Sequence, residues 1–287
     1  MKRYSHGSYR VQPGRPDGHQ IESYIVGRKF LHLEEKNRVY TRNRQHRLYA
    51  FHLAEIDREV VLKIHWLDPS YSLLRRLDIW ISRLFKNRCK GAFDGALALQ
   101  RAGIGTFTPL AYWSYKKSRL ITEKYLLYEK IEASFSISQY RKQIKNKITP
   151  LLRRNLDLLI EGMAEITAKM HQSNLRHADL AFCNFLVDTT MPGNGYQPIN
   201  PSEPPELYVI DTDKVSKSRI RQPFLKRMLD LKSLKPIHLD PHERRVFLKK
   251  YLKEEYSEFW LRVFEFWYQG RYRLFRRARN HFLRKRP

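Results

Sequence analysis

The chain has 287 residues, 42% of them hydrophobic, enough for a folded core in one large domain or two lobes and too apolar for a disordered chain. Lys and Arg number 55 against 29 Asp and Glu, a net +26, so the partners implied are polyanions: nucleic acid, an anionic membrane surface or phosphorylated substrates. The opening MKRYSHGSYRVQPGRPDGHQ has no apolar stretch, which excludes a signal peptide, and no run of about 18 apolar residues reads as a membrane span. The two cysteines, Cys89 and Cys183, fit no zinc or disulfide spacing and read as reduced thiols.

In chain order, residues 1–24 are polar, with Gly and Pro, and read as a flexible tail. A β-rich lobe is expected over 25–131. Its strand-like runs are RKFLHLEE, HRLYAFHLAE, EVVLKIHW, PLAYWSY and YLLYEKIE, with a helix over 70–102 weakened by Gly91 and Gly95. In EVVLKIHW, Val61, Lys63 and His65 share one face while Val60, Leu62, Ile64 and Trp66 share the other. Lys63 is thus a cation in an apolar strand, and it should have an anionic partner or lie beside a cleft.

From residue 132 to 287 the pattern is mainly helical. Leu156, Leu159, Ile160, Met163, Ile166 and Met170 recur at helical spacing and predict a long amphipathic helix. A loop and short strand follow (NLRHADLAFCNFLVD), then a Pro/Gly/Asn-rich surface insert near 189–206, then the strand LYVIDTDKV. The chain ends in RYRLFRRARNHFLRKRP, with eight Lys and Arg and no acid. Its apolar positions share one helical face. That suits an interfacial helix on anionic lipid, or one packed on the second lobe, or, third, a nucleic-acid contact.

Chemistry concentrates in His177-Ala178-Asp179-Leu180, with Asn184 five residues past the aspartate, in Asp211 after an apolar strand, and in Lys63. Phosphoryl transfer from ATP needs metal ions across the phosphates, a carboxylate that orients the acceptor hydroxyl, and a cation on the phosphates. Magnesium prefers hard oxygen ligands. Asp179 suits the base, Asn184 and Asp211 suit the metal, and Lys63 suits the phosphates, in the chain order of protein kinases. Singly, these residues read as a helix cap, a turn and a strand end; the order and spacing of all of them argue otherwise.

At VLKIHW, ALQRAGIGTFTPLAYW, LLYEKIE, RHADLAFCNFLV and YVIDTD, the sequence resembles the kinases that phosphorylate lipopolysaccharide inner-core sugars in Gram-negative bacteria, including the Kdo kinases. The likeness covers roughly 25–230. It implies an α+β, bilobal protein-kinase-like fold, with a β-rich N-lobe and a mainly helical C-lobe. It also implies ATP and Mg²⁺ as cofactors, a lipid-linked sugar as substrate, and work at the cytoplasmic membrane face. By the resemblance Asp179 is the catalytic base, Asn184 and Asp211 are magnesium ligands, Lys63 holds the phosphates, and the adenine lies near Glu129, Lys130 and Ile131. His177 braces the catalytic loop from the core.

Two departures bear on activity. Related kinases pair the lysine with a helix Glu, but that position holds Ala92, and Asp94 lies about 200° further round the helix. LEEKNRVYTRNRQHRLY has no glycine to form a phosphate lid, leaving Arg42 and Arg44 either as phosphate contacts or as an ordinary exposed hairpin. These departures leave open a catalytically reduced, kinase-like binding protein, or a kinase for another small molecule or protein. Cys183, beside Asn184, is expected as a small buried hydrophobe, with an exposed thiol as the alternative.

Overall fold

The computed structural model describes residues 2–4, 7–32, 39–42, 46–65, 87–116, 122–145, 147–188, 199–200, 202, 204–220, 223–231, 240–253, 257–263 and 266. The chain divides into two compact units, one of residues 1–131 with 211–215, the other of 132–210 with 216–287. Among the described residues, no helix is long and apolar enough to cross a membrane.

The first unit is built on a seven-stranded antiparallel sheet. Its strands are β1 (Lys2–Tyr4), β2 (Gly7–Val11), β3 (Val39–Arg42), β4 (His46–Leu53), β5 (Arg58–His65), β6 (Pro109–Lys116) and β7 (Thr122–Glu129), in the order β1-β2-β6-β7-β5-β4-β3. The alternation read in EVVLKIHW decides the layering. Val60, Leu62 and Ile64 enter one core with Leu110, Trp113, Tyr125 and Leu127. On the opposite face, helix α2 (Arg88–Arg101) buries Cys89, Ala92, Phe93 and Ala96 against Tyr112 and Leu126. Asn87 caps that helix through its side-chain oxygen, which accepts from the Lys90 amide at 3.2 Å.

Two expectations are corrected here. Residues 1–24 are not a tail, because β2 pairs with β6 from Gly7↔Tyr115 to Val11↔Ala111. Helix α1 (Gly18–Val26) then buries Ile21, Tyr24 and Ile25 in the first core. An added edge strand is held by backbone hydrogen bonds, which leave little mark on composition. The apolar triplet of α1 also straddles the expected boundary at 24. The second correction concerns RKFLHLEE, where residues Lys29–His32 form a 3₁₀ turn instead of a strand. One aromatic anchor explains it: Phe30 is buried with its ring 4.9–5.7 Å from those of Tyr125, Trp113 and Tyr115, while Leu31 and His32 stay exposed. A fully buried Phe contributes roughly 1.5–3 kcal/mol, enough to set the conformation of a short segment. The helix expected over 70–102 is present from residue 88; its earlier part, Trp66, Arg44 and the Arg42 side chain lie outside the described residues.

The second unit is mainly helical, with α3 (Ile137–Ile144), α4 (Pro150–Gln172), α5 (Phe224–Leu231) and α6 (Pro241–Leu252). A three-stranded sheet runs β11 (Leu207–Val209), β10 (Phe185–Asp188), β8 (Ala133–Ser136), and β9 (Leu175–Arg176) pairs with β12 (Ser216–Lys217). Helix α4 starts at a Thr149 cap with Pro150 in the first turn. Five of its six predicted apolar positions are buried; Ile166 is only half-buried, and Thr167 takes the core position, donating its hydroxyl to Met163 O at 2.8 Å. Most of the 189–206 insert and all of the basic terminus 271–287 lie outside the described residues.

Candidate active site

Within the first unit, Lys63 and Asp211 come together. Lys63 Nζ lies 3.1 Å from Asp211 Oδ1, and the lysine side chain is largely buried. The expected anionic partner is therefore an acid from the segment that rejoins this unit, not one from α2. Asp94 faces elsewhere, paired with Arg10 and Lys90. Asp211 sits in the left-handed region, φ 57° and ψ 46°, ahead of a 3₁₀ turn, Thr212–Lys214. That backbone costs on the order of 1–2 kcal/mol for an L-residue, and Asp tolerates it better than most. It ends β11's extended path sharply and leaves the carboxylate partly exposed.

The neighbouring charges are arranged around this pair. Burial pushes the Asp213 carboxyl up, the Asp211 charge adds to this, and Lys63, Arg88 and Lys214 oppose it. Among the described residues, Asp213 Oδ1 is buried without a hydrogen-bond partner, while Oδ2 is 3.9 Å from Arg88 Nε. On β4, burial and then the Lys63 cation lower the His46 pKa to about 4, so this imidazole is neutral at pH 7.

Glu129 and Ile131 lie at the end of β7 and just beyond it. The Glu129 amide donates to Thr108 O at 2.9 Å, and the Lys130 amide to Glu59 O at 3.0 Å. The Glu129 carboxylate is itself held by two guanidiniums, Arg58 at 2.6 Å and Arg15 at 3.0 Å. Arg15 also clamps Asp17 with two bonds of 2.7 and 2.8 Å, which hold the Asp17 carboxyl below its usual range. Sequence reasoning missed Arg15 because it lay in the presumed tail.

Within the second unit, the loop after β9 carries Asp179 and Asn184. Asn184 is buried and its Nδ2 donates to Asp179 O at 2.8 Å, tying the two residues together. Asn184 Oδ1 in turn accepts from the exposed Cys183 thiol at 3.5 Å. The expectation that Cys183 is buried is thus corrected; its side chain is exposed because the 3₁₀ turn Phe182–Asn184 buries the residues on either side of it. His177 is fully buried and its Nε2–H donates to Ile210 O at 3.1 Å.

Asp230 on α5 organises this loop and was not anticipated. Its buried carboxylate accepts from the backbone amides of His177 (3.1 Å) and Ala178 (2.8 Å), from Arg176 Nε (3.0 Å) and from His171 Nε2 (3.1 Å). His171 Nδ1 lies 2.6 Å from the Tyr251 hydroxyl. Burial alone would raise the Asp230 pKa, but the His171 and Arg176 bonds outweigh it and hold the carboxyl below its ordinary value. The same support sustains Ala178 at φ 58°. A carboxylate inside the apolar run MLDL was the available signal, by the same logic that singled out Lys63.

The match to a family model decides what this arrangement belongs to. Residues 33–256 match the model of the lipopolysaccharide kinase (Kdo/WaaP) family. The chain belongs to the lipopolysaccharide kinase (Kdo/WaaP) family. It is therefore a phosphotransferase whose acceptor is an alcohol group. A solved structure described as WaaP in complex with acyl carrier protein superimposes with a TM-score of 0.56 at 19% identity, covering 86% of this chain and 89% of that one. At that identity it supports the fold, α+β and protein-kinase-like. No curated protein matches by sequence. The segment before residue 33, with β2, α1 and Arg15, falls outside the family match.

Proposed function

We propose that this kinase transfers the γ-phosphate of ATP to a sugar hydroxyl of the lipopolysaccharide inner core at the cytoplasmic membrane face. The observation that carries the reading is the Lys63–Asp211 pair at 3.1 Å, a cation for phosphates beside a carboxylate for metal. Asp179 accepts the proton of the sugar hydroxyl as it attacks phosphorus, and the ADP oxygen leaves with the electron pair of the broken bond. Lys63 orients the phosphates. The adenine lies against the backbone of Glu129 and Ile131, since the Glu129 carboxylate is occupied by arginines.

The donor set suits magnesium: Asn184 presents an amide oxygen because its nitrogen is committed to Asp179 O, and Asp211 presents a partly exposed carboxylate. Held by Asn184 and Asp211, the ion would neutralise charge on the phosphates. The exposed Phe259 and Phe266, and the eight cationic residues that the sequence carries over 271–287, suit peripheral attachment to anionic lipid at about 1 kcal/mol per basic side chain near the surface.

The test is transfer of label from γ-labelled ATP to core lipopolysaccharide. Asp179→Ala is expected to lower the rate about 10²–10⁴-fold. Equal transfer by the variant would sink the assignment. A second reading, nucleotide binding without turnover, is favoured by Ala92 standing where related kinases hold Glu. Transfer by the purified chain would dispose of it, and ATP binding without transfer would support it.

A further inference from the structure

Helix α2 lacks the Glu that couples this helix to the active site in related kinases, yet it packs backbone to backbone against the 211–215 turn. A Cβ built on Gly95 would lie 2.3 Å from Thr212 O and 3.0 Å from Val215 Cβ. One built on Gly91, a helical turn earlier, would lie 2.8 Å from Asp213 O. The Thr212 hydroxyl, fully buried, donates to Ala92 O at 2.7 Å. Ala92 is the residue at the expected Glu position, and here its backbone carbonyl makes the contact.

We propose that Gly91, Gly95 and Thr212 are positioning residues that replace the lysine–glutamate pair, fixing α2 to the 211–215 turn backbone to backbone. This rests on the kinase reading only for its effect on metal binding; the coupling itself is a property of the first unit. The glycines weaken the helix by propensity alone, so their presence at two positions one turn apart on the contact face needs a reason. Close approach supplies it. Any side chain at 95 must displace the carbonyl of Thr212, and with it Asp211, whose left-handed backbone is the next residue back. Lys63 is thereby free to take Asp211 as its partner. Steric contact is also insensitive to salt, unlike an exposed ion pair.

The experiment uses the full chain, with and without Mg-ATP. Gly95→Ala is compared with wild type by melting temperature, by amide exchange of peptides covering 88–101 and 211–215, and by the Mg²⁺ concentration that half-saturates ATP binding. Helix propensity alone predicts a higher melting temperature. The coupling predicts a lower one, faster exchange in both segments together, and about a tenfold higher Mg²⁺ requirement. Gly91→Ala should do the same more weakly. Thr212→Val should loosen both segments, and Thr212→Ser, which keeps the hydroxyl, should restore them; this pair decides the matter if Gly95→Ala does not fold. A Gly95→Ala protein that melts higher, with unchanged exchange at 211–215 and unchanged Mg²⁺ requirement, would overturn the coupling. If wild type binds no Mg-ATP, the kinase reading falls while the exchange comparison still decides the coupling.

Discussion

The two units brace their candidate residues by different physics. In the second unit one buried carboxylate, Asp230, gathers two backbone amides, a guanidinium and an imidazole, so the Asp179 loop is held by charge-assisted hydrogen bonds. In the first unit the Asp211 turn is held by shape, with glycine backbone against carbonyl and one hydroxyl bond. A polar hub fails when one partner is removed, because the others are left buried and unsatisfied. A steric contact fails when an atom is added.

The largest effect should come from breaking the hub. Asp230→Ala is expected to cost about 3–5 kcal/mol of stability, the range for stripping one partner from a buried charge cluster. Urea unfolding measures it. Asp230→Asn, which retains an acceptor oxygen, should fall between. An Ala variant within 1 kcal/mol of wild type, on the scale of a surface ion pair, would show that the hub is not what holds the loop.

A smaller effect is expected at Glu129, at the end of β7. Arg15→Ala removes one of two guanidiniums from Glu129 and the clamp on Asp17. Loss of about 1 kcal/mol of ordering in the 129–131 segment corresponds to about a fivefold rise in KM for ATP, with kcat little changed. A fall in kcat at constant KM would place Arg15 elsewhere in the mechanism.

At neutral pH the smallest effect is electrostatic, and it emerges only on acidification. His46 has a folded pKa of about 4, below its ordinary 6.5, so the unfolded chain binds the proton more readily between these values. Its contribution to stability is present above pH 6.5 and is lost as pH falls toward 4. Melting temperature against pH should slope downward on acidification through that window, and His46→Gln should flatten part of the slope. An unchanged slope would mean that burial and Lys63 do not perturb this ring.

Much of this was legible in the sequence, for local reasons. HADLAFCNFLV fixes its residues at short offsets, so Asp179 and Asn184 end up on one loop and share a hydrogen bond. Lys63 declared itself as a charge in an apolar strand, although its partner arrived from 148 residues away. What stayed hidden depends on long-range or backbone contact. Asp230 serves amides 52 and 53 residues upstream. β2 joins the sheet through main-chain bonds, and Arg15 follows from that placement. Gly91 and Gly95 read as helix defects until the Thr212 and Asp213 carbonyls were seen against them.

The most direct measurement of the account is the Mg²⁺ dependence of ATP binding in Asp211→Asn beside wild type, by titration calorimetry. If Asp211 holds the metal while Lys63, Glu129 and Ile131 hold the nucleotide, wild type binds ATP more tightly with Mg²⁺ present. The variant should lose that enhancement while keeping its metal-free affinity. The same Mg²⁺ enhancement in both proteins would contradict the assignment.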